Sequence, residues 1–230
     1  MLLLTEHTNR GEIIRYGNQL SHKLGIRAGM SFSESRFFVP ANRQIVVEPI
    51  RPDYDLQGLI EVALRCERYS FCIGLEEASR PECLLMDVAG ISHFFSGEQS
   101  LAQQLVDQLS KERLDSRVAI AGTIGSAWVA AHFLAQPQRP ALVSSGDLTS
   151  IAPLPIEGLR LSDTILAKLY RVGMKSIGQV LSMDRAALIR RFGPPILQRV
   201  DQLTGRQPES ITPCKPLPKY EVTKALEEGD

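Results

Sequence analysis

The sequence lacks any run of about 18 apolar residues, the length that a membrane helix needs. Its first apolar run, residues 1–4, is followed at once by polar residues, so we expect no signal peptide and a cytoplasmic protein without membrane contact. Four cysteines, Cys66, Cys72, Cys83 and Cys214, show no CxxC or Cys/His spacing. This pattern argues against zinc and favours small buried thiols in a reducing compartment.

The chain also lacks net charge, because 26 basic side chains balance 26 acidic ones. The balance conceals one basic segment. Residues 161–206 carry eight basic and three acidic side chains, a net charge of +5, so the rest of the chain sums to −5. A basic segment of this kind can follow a phosphate backbone, which makes nucleic acid a candidate partner.

Residues 1–50 are predicted to hold a strand hairpin and two short helices. Apolar residues at 2–4 and 13–14 flank a turn-forming stretch, which indicates the hairpin. Helices are predicted over 16–24 and 31–38, where glycine and proline end them.

Residues 51–149 alternate between helical and strand patterns. The apolar spacing predicts helices over 54–68, 98–112 and 126–135, and strands over 84–88, 118–121 and 141–143. Such alternation indicates an α+β fold with a ferredoxin-like sheet and helices on one of its faces.

Residues 150–206 are predicted to be all helical. Asp163 and Asp184 are candidate N-caps of two helices, and Pro194 is the candidate start of a last one. Residues 207–230 are rich in proline and charge, so we interpret them as an extended linker toward a missing domain.

The segment 172–178 looks like the turn of a helix-hairpin-helix. Its glycines permit a tight turn that could present backbone N–H groups to DNA phosphates, although an ordinary helical hairpin with glycine caps is the alternative. The candidate DNA-binding residues are Lys168, Arg171, Gly173, Lys175, Gly178, Arg190, Arg191 and Arg199.

Five motifs in one order resemble the Y-family DNA polymerases. They occupy residues 24–31, 85–90, 93–98, 152–155 and 190–194. The order is similar to fingers (1–50), palm (51–149) and a small helical thumb (150–206). The chain most resembles the non-catalytic ImuB-type, UmuC-like branch, without the first palm strand and the little-finger domain.

The resemblance implies that the catalytic centre is degenerate. The adjacent Asp-Glu pair that holds Mg²⁺ in the family falls on Glu82 and Cys83, and a thiol is a poor ligand for this hard cation. The triphosphate-binding Tyr, Arg and Lys of the family fall on Gln19, His22 and Ile124. We therefore expect no catalytic residue, metal or cofactor.

The function that the resemblance implies is a catalytically inactive DNA-binding adaptor in DNA repair, translesion synthesis and SOS mutagenesis. Its implied partners are damaged or primer-template DNA, a sliding clamp, a RecA-like accessory protein and an error-prone polymerase. Two alternatives stay open. One is an active low-fidelity DNA-directed DNA polymerase that uses Mg²⁺ and Glu82, and the other is a protein scaffold without DNA contact.

Several single residues receive structural interpretations at this point. Glu76 and Glu77 are expected in a solvated loop, and Trp128 is expected to pack against its own helix neighbours. Asp87 is interpreted as structural. No histidine, His132 included, has ligand spacing or a defensible nucleophile partner.

Overall fold

The computed structural model describes residues 1–9 and 11–215 and divides the chain into two compact units, Met1–Gly58 and Leu59–Asp230. Residues 216–230 of the predicted linker lie outside the described residues. Within the described ranges, no helix combines the length and the apolarity that crossing a membrane requires.

The first unit is built on a three-stranded sheet. Strands β1 (Leu2–Thr8) and β2 (Gly11–Gly17) form the predicted antiparallel hairpin, and β3 (Val46–Pro49) pairs in parallel with the other edge of β1. Leu3, Ile14 and Ile26 are the buried centre of its core.

Both helices of the first unit are shorter than predicted. Helix α1 spans Gln19–Lys23, because β2 continues to Gly17 and Asn18 then caps the helix by accepting the Ser21 N–H at 3.3 Å. Helix α2 spans Phe32–Ser35 and continues as a 3₁₀ turn over Arg36–Phe38. Short polar caps therefore set these boundaries.

The strands of the second unit form two separate pairs. Helix α3 (Pro52–Arg65) leads to β4 (Cys72–Leu75), which pairs antiparallel with β5 (Leu84–Asp87). Strands β6 (Ala119–Ala121) and β7 (Ala141–Val143) pair in parallel. The continuous ferredoxin-like sheet that we predicted is thus not formed by the described residues, because β5 and β6 are not hydrogen-bonded to each other.

Two helices cover these strands. Helix α4 (Glu98–Lys111) buries the predicted stripe of Leu101, Leu105 and Leu109 in one core, together with Tyr69 and Ile73. Helix α5 (Ile124–Phe133) contributes Val129 and Ala130 to a second core. The periodicity of α4 was therefore a correct guide to its buried face.

The remaining helices complete the second core. They are α6 (Asp163–Arg171), α7 (Ile177–Leu181), α8 (Arg185–Phe192) and α9 (Pro194–Thr204). Asp184 caps α8 as predicted and accepts the Ala187 N–H at 2.9 Å. The N-cap of α6 is Ser162, not Asp163, which is the first helical residue and complements the positive end of the helix dipole.

Residues 207–215, the described part of the predicted linker, dock on β4. The Cys214 N–H donates to the Ile73 carbonyl at 2.8 Å, and Pro213 forms an isolated bridge with Gly74. A Cβ atom on residue 74 would lie 2.2 Å from the carbonyl oxygen of Thr212. Glycine at position 74 therefore lets this segment approach the strand closely.

Candidate functional site

The carboxylate of Glu76 organises the start of β5. One oxygen, Oε1, accepts the backbone N–H groups of Glu82 at 2.6 Å and Cys83 at 3.0 Å, while Oε2 accepts the Trp128 indole N–H at 2.7 Å. The solvated-loop interpretation is therefore wrong for Glu76, although Glu77 is exposed as expected. No local sequence signal marks Glu76, because two of its three donors directly precede β5 and the third lies on α5.

Trp128 and His132 form a stacked pair one helical turn apart on α5. Their ring centroids are 3.6 Å apart at an interplanar angle of 17°. His132 Nδ1 lies 2.8 Å from the Trp128 carbonyl oxygen, and Nε2 lies 3.7 Å from the Cys83 sulfur. Trp128 thus does more than pack within its helix. The i, i+4 spacing was the sequence signal that could have paired these rings.

Cys83 is held as a neutral thiol. Burial, followed by the negative charges of Glu76 and Glu82, raises the pKa of Cys83 from an ordinary value of 9.0 to about 12. The raised pKa disfavours the thiolate, which is the form of cysteine that binds metal.

The donor set does not fit a pair of magnesium ions. Glu82 is exposed, but both oxygens of Glu76 are already occupied by N–H donors. Asp87 lies at the opposite end of β5, where it accepts the Ala89 N–H at 2.9 Å. Among the described residues, no group of three or more His, Cys, Asp or Glu side chains could hold a metal ion. Two-metal phosphoryl transfer needs several converging oxygen ligands, which these positions do not supply.

The three degenerate triphosphate positions are divided between the units. Gln19 and His22 are exposed on α1 of the first unit, and Ile124 is the half-buried first residue of α5 in the second. Neither Gln19 nor Ile124 carries a charge, so the electrostatic contribution of a lysine is absent at position 124.

We expect the native Cys83 thiol to resist alkylation at neutral pH. Because its pKa is raised to about 12, iodoacetamide should label it at least ~100-fold more slowly at pH 8 than in the unfolded chain, since the thiolate is the nucleophile. The rate should rise about tenfold per pH unit toward pH 10. The folded state keeps this proton longer than the unfolded state, so its stability should fall above pH 9. Fast native labelling at pH 8, mapped by mass spectrometry, would contradict this assignment.

The predicted DNA-contacting glycines have structural roles. Their N–H groups do not point at an open surface, because Gly173 donates to the Tyr170 carbonyl at 3.0 Å and Gly178 to the Ala152 carbonyl at 2.7 Å. The Lys175 N–H donates to the Gln179 side chain at 2.7 Å. These three N–H groups therefore have acceptors within the chain, and their contact with DNA phosphate stays a prediction. Gly173 instead provides the positive φ of +79° that turns the chain after α6.

The basic side chains around this turn fall into two groups. Arg199 on α9 is turned inward and hydrogen-bonds Gln202 at 3.0 Å and Glu209 at 3.2 Å. The other five predicted basic contacts are exposed and make no ion pair within the described ranges. They are Lys168, Arg171, Lys175, Arg190 and Arg191.

Glu209 joins two arginines at the start of the 207–215 segment. Its carboxylate binds Arg160 through two hydrogen bonds of 2.7 Å and Arg199 at 3.2 Å. Burial, followed by the charge of Arg160, lowers the pKa of Arg199, while the charges of Glu209 and Glu77 oppose this shift. The sequence did not indicate this cluster, because Glu209 lies 49 residues from Arg160 and belongs to a stretch that was predicted to be an extended linker.

Comparison with known proteins identifies the family of this chain. The model of the impB/mucB/samB family matches residues 2–132, more than half of the chain. The chain belongs to the impB/mucB/samB family. The resemblance that five short motifs suggested is thus confirmed.

A curated relative of this impB/mucB/samB chain is Protein ImuB of Caulobacter vibrioides. The two are 32% identical over 194 residues, which is 84% of this chain and 40% of the relative. The chain therefore spans less than half the length of the curated relative that it matches.

Solved structures with the same fold are Y-family DNA polymerases. DinB from Sulfolobus solfataricus superposes with a TM-score of 0.67 at 17% identity, covering 91% of this chain and 61% of that one. An insertion ternary complex of Dbh DNA polymerase gives a TM-score of 0.68 at 18% identity, with the same coverage. At such identities the likeness establishes the mixed α+β polymerase-like fold and nothing finer.

Proposed function

We propose that this chain is a catalytically inactive, Y-family-like DNA-binding adaptor in DNA repair, translesion synthesis and damage-induced mutagenesis. One observation carries the inactivity: where the family's paired metal ligands fall, this chain has the thiol side chain of Cys83 beside a single exposed carboxylate, Glu82. Family membership and the likeness to Protein ImuB support the DNA-damage context.

DNA contact is assigned to the helical region 150–206, as the thumb. Its α6 and α7 form the two helices of a helix-hairpin-helix whose turn is closed by Gln179. The five exposed basic side chains of this region then bind the phosphate backbone as point charges. Such contacts are independent of base sequence and weaken with salt.

Reversing two of these charges tests the interface. The double variant Lys175→Glu and Arg190→Glu should raise the Kd for duplex DNA by ~10–100-fold at about 100 mM salt and reduce the slope of log K against log salt by about 2. A matched control is Lys111→Glu with Arg139→Glu, which makes the same charge change at exposed positions outside the region. Unchanged affinity and slope would favour a protein scaffold without DNA contact.

An active low-fidelity DNA-directed DNA polymerase is the second candidate function. The exposed Glu82 carboxylate, at a position that holds metal in the family, is the observation that favours it. Primer extension on a primer-template with Mg²⁺ or Mn²⁺ separates the two candidates. We expect no extension above background, and extension that Glu82→Ala abolishes would overturn the inactive assignment.

The proposed partners are those that the family resemblance implied: a sliding clamp, a RecA-like accessory protein and an error-prone polymerase, in the cytoplasm. None of them is assigned a contact surface among residues 1–9 and 11–215. Pull-down of each partner with the full-length protein, with and without damaged DNA, tests these assignments directly.

A further inference from the structure

The 207–215 segment lies along the edge of β4 that β5 does not occupy. Its backbone pairing with β4 is an isolated bridge between Pro213 and Gly74, and not a strand ladder. Beside this bridge, the Cys214 N–H donates to the Ile73 carbonyl at 2.8 Å. The segment therefore gains few of the regular backbone hydrogen bonds that join β4 to β5 along their whole length.

The segment also buries little of its own surface. Its residues are half-buried or exposed, and none of them is fully buried. Its apolar contacts come from Ile211, which lies against Gly74, and from Cys214, which packs at the margin of the core that α4 covers. The ion pair between Lys215 and Glu67 joins two well-exposed side chains and contributes little. Segments with so few buried contacts can open locally while the rest of the structure stays folded.

The Glu209 carboxylate is the strongest attachment of the segment. Its three hydrogen bonds reach Arg160, which follows the 3₁₀ turn Ile156–Leu159, and Arg199 on α9. All three side chains are largely shielded from solvent, and charge-assisted bonds in such a site are stronger than surface ion pairs. The carboxylate thus fastens the beginning of the segment to the helical region, while the bridge fastens its end to β4.

The docked segment requires glycine at position 74. A Cβ atom there would lie 2.2 Å from the carbonyl oxygen of Thr212 and 2.6 Å from the side chain of Ile211. Gly74 is inside β4 and does not have a positive φ, so alanine can adopt the same backbone conformation. An alanine at this position would therefore fit the strand and exclude only the docked segment.

From these features we propose that the 207–215 segment is a conformational switch of the second unit. It opens and closes on β4 while the rest of the unit stays folded, and the Glu209 carboxylate holds it closed. Opening uncovers the outer edge of β4 at Ile73 and Gly74. It also frees residues 207–215, which extend over about 30 Å when fully stretched. An open segment thus changes the sheet edge that β4 offers and lengthens the reach of the chain after residue 215.

Labelling of Cys214 with N-ethylmaleimide, located by mass spectrometry, measures this opening. Burial is what raises the pKa of Cys214, so a change of charge at Glu209 alters labelling through access to the thiol. We expect Glu209→Gln and Gly74→Ala each to accelerate the labelling at least ~10-fold. The matched controls are Glu67→Gln, which breaks the exposed ion pair, and Gly58→Ala, which adds a methyl group in open space. Both should change the rate less than ~threefold.

Urea separates local opening from unfolding of the whole unit. Local opening exposes little surface, so the labelling rate of Cys214 should be nearly constant at low urea. The rate for the fully buried Cys66 should instead rise with the slope of global unfolding, measured by circular dichroism.

Three outcomes would overturn the proposal. The first is a Cys214 rate that follows the urea slope of global unfolding. The second is a rate that Glu209→Gln changes no more than Glu67→Gln does, and the third is a rate that Gly74→Ala changes no more than Gly58→Ala does. If circular dichroism shows that Gly74→Ala does not fold, the urea dependence and the comparison of Glu209→Gln with Glu67→Gln decide.

Discussion

Replacing Glu209 by alanine is expected to lower the free energy of unfolding by about 3 kcal/mol or more, the range for breaking a buried ion pair from one side. The side chains of Arg160, Arg199 and Glu209 are 12%, 24% and 16% exposed, so solvent screens them little. Without the carboxylate, two guanidinium groups face each other in a mostly dry site. The buried Arg160 Nε has no hydrogen-bond partner in the described structure. Removal of the Glu209 carboxylate would therefore add further unpaired donors to a guanidinium group that already has one.

Urea unfolding followed by circular dichroism measures this loss. The matched control is Asp201→Ala, which breaks a bidentate pair with Arg185, whose side chain is 46% exposed, and which should change stability less. Glu209→Gln keeps the shape but removes the charge, so an intermediate loss is expected. Equal effects of Glu209→Ala and Asp201→Ala would show that the cluster does not fasten the 207–215 segment.

Elements defined by local signals were predictable from sequence. The apolar spacing that predicts α4 lies within that helix, and the Asp184 cap directly precedes the first residue of α8. The same holds for the β1–β2 hairpin. In each case, periodicity and side-chain capping act over a single element, so no knowledge of the tertiary structure was needed.

Contacts between distant residues were not predictable in this way. The 207–215 segment reads as linker because proline and charge dominate it, but Gly74 and Glu209 fasten it through partners far away in sequence. The division of the strands into two pairs likewise depends on which edges meet. Alternation along the chain predicts strands, and it does not specify their neighbours.

The degenerate site illustrates both cases. Aligning motifs identified Glu82 and Cys83 as the altered positions, and the thiol predicted a poor magnesium site. The contacts that surround Glu82 and Cys83 were not predictable from sequence, because Glu76, Trp128 and His132 reach these positions from other elements. Where a polymerase of the family would gather oxygen ligands around metal ions, this chain uses a carboxylate to hold its own backbone and an indole.

Replacing Glu76 by alanine is the second change with a large expected effect. Three N–H donors, from Glu82, Cys83 and the Trp128 indole, would lose their acceptor together. Leaving such donors without partners should cost about 2–4 kcal/mol of unfolding free energy. The emission of Trp128 should shift to the red as water replaces the carboxylate. Glu76 also raises the pKa of Cys83, so its removal should accelerate alkylation of that thiol at pH 8.

The adjacent Glu77 provides the matched control, since it is exposed and one residue away in sequence. Glu77→Ala should leave tryptophan emission and Cys83 labelling unchanged. Glu76→Gln retains an acceptor oxygen and should preserve part of the stability, while still lowering the pKa of Cys83 because the negative charge is gone. If Glu76→Ala matched Glu77→Ala in all three measurements, the β5 start would be held by packing alone. Suppose instead that Glu76→Ala produced the predicted losses and that the unmodified chain showed no primer extension. Glu76 would then be assigned to stabilising the fold and not to binding a metal ion.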